Sequence, residues 1–88
     1  MSNWQRTPNI DDSFKEMHGI KPKVSYDRVN NNSYSVKLEL GGKEVILHEE
    51  LDRGRTKLAT LVYQGKLTAY PSVYLAECAA VKIFKGEE

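Results

Sequence analysis

Ser33-Tyr34-Ser35-Val36-Lys37-Leu38-Glu39-Leu40-Gly41-Gly42-Lys43-Glu44-Val45-Ile46-Leu47 is the stretch that decides the fold. Tyr34, Val36, Leu38 and Leu40 alternate strictly with Ser35, Lys37 and Glu39. Successive side chains of an extended chain point to opposite faces, so the apolar set shares one face of a half-buried antiparallel strand. A slip of one residue would turn all of them toward water, so burial specifies the register. Gly41-Gly42 suits a two-residue hairpin turn, and Val45, Ile46 and Leu47 begin the return strand.

On the N-terminal side, Val24, Tyr26 and Val29 predict a strand running into the turn Asn30-Asn31-Asn32. Residues 24 to about 49 therefore read as a three-stranded meander. Asp11 or Asp12 as an N-cap, Phe14 and Met17 three apart, and Gly19 as the C-terminal stop predict a short helix over about 11–18. Residues 1–9, polar with Trp4 and Pro8, read as a flexible arm, and 10–88 as one α+β domain.

On the C-terminal side, residues 52–65 fit two patterns. Leu58, Leu61 and Val62 match a helical face, whereas Thr56, Thr60, Val62 and Tyr63 are β-formers. The hairpin reading, 57–63 with 66–70 turning at Gln64-Gly65, makes an antiparallel sheet of three to five strands. A helix over about 71–85 closes the chain, with Pro71 at its first position, Tyr70 or Thr68 as a weak cap and Gly86 as its stop. Between Val73 and Phe84 only Glu77 and Lys82 are charged. A helix this apolar is buried on more than one side, with Ala76, Ala79, Ala80 and Ile83 expected against the sheet.

Eighty-eight residues leave room for a single core. Thirteen Lys and Arg against 12 Asp and Glu give a net charge of +1, so overall charge supplies no argument for a phosphate-backbone partner. Residues 53–76, however, carry Arg53, Arg55, Lys57 and Lys66 and no acid, which makes these four the candidate nucleic-acid contacts. Cys78 is the only cysteine and can form no internal disulfide, so a reducing compartment and a cytoplasmic location are expected. The apolar runs are too short for a membrane span, and no signal peptide is expected at the start.

Catalytic chemistry finds no motif. His18 and His48 are the only histidines and stand on different elements from Cys78 without metal-site spacing. His18 beside Gly19 reads as a helix-end residue, His48 as the solvent face of a strand, and Glu49, Glu50 and Asp52 as a solvated turn. Gly41-Gly42 is followed by no Lys-Ser or Lys-Thr pair and cradles no phosphate. Cys78, mid-helix among alanines, reads as a small buried hydrophobe. No catalytic residue, metal, cofactor or small-molecule substrate is expected, and the chain is read as a non-enzymatic binding module.

The terminal segment Ser72-Val73-Tyr74-Leu75-Ala76-Glu77-Cys78-Ala79-Ala80 resembles the last helix of double-stranded RNA-binding domains in its serine, the alanine four on, and the alanine pair. A short helix with Phe14 and Met17, then Pro22 and Tyr26 opening a meander, is similar to that family's α-β-β-β-α order. The resemblance implies a duplex-binding module. The sequence departs from it where the family's helix has phosphate-contacting lysines, since Val73, Tyr74 and Glu77 stand there. The stretch from Asp52 to Ala69 is also longer than such a domain needs, which implies an inserted hairpin or a later register. A sheet followed by an alanine-bearing helix is similar to certain small DNA-binding domains as well.

Two functions follow as expectations. One is binding of a nucleic-acid duplex through Arg53, Arg55, Lys57 and Lys66. The alternative to it is a protein contact through the outer side of the terminal helix, at Val73, Tyr74 and Phe84, either as a dimerising degenerate domain or as a small viral-type inhibitor of a host factor.

Overall fold

The computed structural model describes residues 4–6, 8–30, 32–53 and 55–86. Its elements in chain order are β1 (Gln5–Arg6), α1 (Pro8–His18), β2 (Lys23–Asn30), β3 (Ser33–Leu40), β4 (Lys43–Asp52), β5 (Arg55–Tyr63), β6 (Lys66–Tyr70) and α2 (Val73–Lys85). The strands form one six-stranded antiparallel sheet in the order of the sequence.

Register follows the hydrophobic alternation. Val24 on β2, Leu38 on β3 and Val45 on β4 lie side by side, and Leu47 continues the face opposite Val36 and Leu61. Of the four residues expected on the core face, Leu38 is 1% exposed, while Tyr34, Val36 and Leu40 are half-buried. Both helices cover this same face, since Phe14 of α1 and Ala76, Ala80, Val81 and Ile83 of α2 join one core with the strand residues. Ala76 and Ala80, four apart and fully buried, let α2 approach the sheet closely. Ala79, expected beside them, is half-buried on the flank.

Local chemistry explains the turns. Gly41 and Gly42 have φ of 59° and 81°, and Gln64 and Gly65 have 51° and 77°, the two positive values of a type I′ hairpin whose twist matches the strands. At the C-terminus of α1, Gly19 takes φ 80° and its N–H donates to the Lys15 carbonyl at 2.8 Å. Lys43 Nζ donates to the Ile83 carbonyl at 2.8 Å, placing a cation at the negative end of α2.

Several boundaries differ from the sequence reading. The sheet has six strands, not three to five, because Gln5–Arg6, read as part of an arm, pairs with Tyr26 and Ser25 of β2. The first helix begins at Pro8, and Asp11, expected as its cap, lies inside it. Its carboxylate accepts from the Val24 N–H at 2.8 Å and from Arg6 at 2.7 Å, tying helix and edge strand to β2. The terminal helix starts at Val73 with Ser72 as its cap, whose hydroxyl accepts from the Leu75 N–H, so Pro71 precedes the cap. Arg55–Tyr63 is a strand paired with Lys66–Tyr70, in agreement with the hairpin reading. The β5–β6 hairpin stands between β4 and the last helix. No helix among the described residues is long and apolar enough to cross a membrane.

Candidate functional site

The basic residues divide between two ends of the sheet. Arg53 in the β4–β5 turn, Arg55 at the start of β5 and Lys57 two residues on are all exposed. Lys57 lies at a bulge, because Glu50 pairs with Leu58 and Leu51 with Thr56. Lys66 opens β6 opposite Tyr63, at the far end of β5, which at about 3.3 Å per residue puts it roughly 26 Å from Arg55. Folding also brings acids to the triplet. Asp52 pairs with Arg55 in register and Glu50 neighbours Leu58, so the charge that is unmixed along the chain is mixed in space.

Lys66 belongs instead to an apolar groove of about 530 Å³ between α2 and the β5–β6 hairpin. Leu61, Tyr63 and Tyr70 form its floor, and Leu75, Ala79 and Ile83 its helical wall. Lys66 and Lys82 stand at its rim, Thr68 and Cys78 complete it, and among the described residues no acid lines it. The groove exists because α2 lies across β4, β5 and β6 on small residues, Ala76 and Ala80, and leaves Lys66 and Thr68 of the last strand exposed. Cys78, read as buried, is half-buried in this wall.

The three residues expected at a protein interface do not form one patch. Val73 is half-buried in the first turn of α2. Tyr74 is 56% exposed and stacks on His18 with ring centroids 5.7 Å apart. Phe84 packs against the core in the last turn, about 15 Å from Tyr74 along the axis. The exposed side of α2 carries Tyr74, Leu75, Lys82 and Lys85, and the groove runs along its edge at Leu75, Ala79 and Lys82. Sequence reading missed it, although Tyr63 and Tyr70 share a face with Leu61 by strand alternation across a two-residue turn.

Separately from the groove, the helix-covered face holds a buried polar cluster. Glu49, read as part of a solvated turn, is 2% exposed, because β4 continues past it and the alternation Val45, Leu47, Glu49 keeps it on the helix-covered face. The Tyr34 hydroxyl, on the paired β3 residue, donates to it. Its Oε2 has no hydrogen-bond partner among the described residues. Burial pushes the Glu49 carboxyl above the usual range; the Tyr34 hydrogen bond opposes this and nearby Glu77 adds to it. Glu77 of α2 meets His18 of α1 at 3.3 Å, and the His18 side chain is 5% exposed, so His18 joins the two helices. His48 is half-buried on the opposite face of the sheet, with Nδ1 3.0 Å from the Ser35 hydroxyl. Among the described residues, no group of three or more His, Cys, Asp or Glu is arranged to hold a metal ion.

Compared with models of protein families, with curated proteins and with solved structures, the chain matches none.

Proposed function

We propose that this chain is a protein-interaction module that engages its partner through the groove between α2 and the β5–β6 hairpin. The observation that carries the reading is the lining itself: an apolar floor with two tyrosines, an aliphatic helical wall and a rim of two lysines. Aromatic residues supply large contact area with a polar tip, and an exposed apolar concavity rimmed by polar groups is the form that partner sites take. Leu75, 45% exposed on the wall, is an apolar anchor a partner would cover.

Duplex binding is the second reading. It rests on Arg53, Arg55 and Lys57, exposed together at the β4–β5 turn. Three cations with Glu50 and Asp52 beside them make a weaker phosphate surface than the sequence implied, because each acid offsets attraction to the backbone.

Selecting binders from a random peptide library and mapping them by amide chemical shift separates the two. Peptides perturbing Tyr63, Tyr70, Leu75 and Ala79, with an RNA duplex producing no shifts, support the module. No selected peptide, with duplex-induced shifts at Arg53, Arg55 and Lys57 that fade with salt, would replace it with the second reading.

A further inference from the structure

The groove opens directly onto a free sheet edge. β6 pairs with β5 alone and ends the sheet, and its first four residues are exposed. Edge strands present unpaired N–H and C=O groups unless they are very short or shielded by charge, proline or a bulge. β1 at the opposite edge has two residues, whereas β6 has five, with only Lys66 at its start and Pro71 just beyond its end as protection.

The outward groups can be named. In a two-residue type I′ hairpin the residues flanking the turn, here Tyr63 and Lys66, exchange both hydrogen bonds. Ladder pairing then alternates, so the amides of Lys66, Thr68 and Tyr70 face β5, while those of Leu67 and Ala69 face the empty edge. Side chains alternate as well. Lys66, Thr68 and Tyr70 point into the groove, and Leu67, 68% exposed, points to the uncovered face of the sheet.

Resting on the interaction reading above, we propose that the site takes an extended acidic segment of a partner protein, added to β6 as a seventh strand. Its backbone would bond to Leu67 and Ala69, and alternate apolar side chains would enter the groove beside Leu75 and Ala79. The charge of the occupant follows from the rim. Lys66 and Lys82 are exposed, neither forms an ion pair among the described residues, and no acid lines the groove. A second copy of this chain is a poor occupant for the same reason, since each copy would bring Lys66 and Lys82 to the shared edge and none of the described groove residues is a carboxylate.

The probes are two ten-residue peptides of alternating Val and Thr, one flanked by Glu and one by Lys, titrated by fluorescence anisotropy. The Glu-flanked peptide should bind saturably and at least tenfold more tightly than its Lys counterpart. Ala69→Pro removes an outward N–H and leaves the β5 ladder whole, so it should weaken that binding at least tenfold at an unchanged melting temperature. The double variant Lys66→Glu/Lys82→Glu alters only exposed side chains, and should reverse the charge preference even if Ala69→Pro fails to fold. Equal binding of the two peptides, undiminished binding to folded Ala69→Pro, or a dimer in sedimentation that Ala69→Pro dissolves would each overturn the proposal. Library-selected peptides that occupy the groove without acidic residues would overturn it too, while leaving the interaction reading intact. No groove binder of any kind would remove both.

Discussion

Tyr34 on β3 and Glu49 on β4 are paired in register, and the phenol donates a hydrogen bond to a carboxylate that is 2% exposed. A hydrogen-bonded acid with one unpartnered oxygen in a core is a cost that the surrounding fold sustains. An unfolded glutamate loses its proton near its ordinary value, about 4.3, while burial makes the native carboxyl hold its proton to higher pH. The native state therefore binds more protons through that interval, and stability falls as pH rises across it and does not recover above. Glu49→Gln keeps an acceptor for Tyr34 and removes the ionisation. Urea melts should show the variant gaining over the natural chain as pH climbs from about 4, with the two alike near pH 3. Identical midpoints at pH 7 would show that Glu49 ionises in the fold without penalty.

Asp11 has the opposite sign. Burial pushes its carboxyl upward, but the bonds from Arg6 and the Val24 N–H, with the charges of Arg6 and Lys21, hold it below the usual range. Its contribution to stability is thus present above the unfolded value, about 3.9, and is lost as pH falls through the native one. Asp11→Asn should cost about 1–3 kcal/mol at neutral pH, since it weakens bonds joining α1, β1 and β2. The deficit should shrink in acid. A constant deficit across the pH range would assign the effect to shape alone.

Leu38 is 1% exposed between Val24 and Val45. Leu38→Ala should destabilise by roughly 2–5 kcal/mol in denaturant melts, because removing a core side chain forfeits its transfer energy and leaves a cavity. A loss near zero would contradict the register.

Gln64 occupies a left-handed conformation at φ 51° in an exposed turn. Non-glycine residues there carry about 1–2 kcal/mol of strain, and asparagine tolerates the region better. Gln64→Asn, which creates the preferred Asn-Gly turn, should raise the melting temperature by a few degrees. A lower melting temperature would mean that the contact from Gln64 Nε2 to the Tyr63 hydroxyl at 3.4 Å outweighs the strain.

Strand β3 and its Gly41-Gly42 hairpin were legible in the residues themselves, because alternation and positive φ are local requirements that one segment states alone. The Gly86 stop was legible for the same reason, and the β5–β6 hairpin in part, since Gln64-Gly65 marked its turn while 52–65 also fitted a helical face. Tertiary structure decided the rest. Glu49 is polar, and only the length of β4 and the position of α2 determine that it lies beneath a helix. Arg53, Arg55, Lys57 and Lys66 form one acid-free run along the chain, yet a hairpin carries Lys66 to the other end of the sheet and β4 sets Glu50 and Asp52 beside the others. Charge acts through space, so its pattern is settled by which strands neighbour one another. The groove arises in the same way, from a helix seated by Ala76 and Ala80 across β4, β5 and β6, a placement that no residue type encodes by itself.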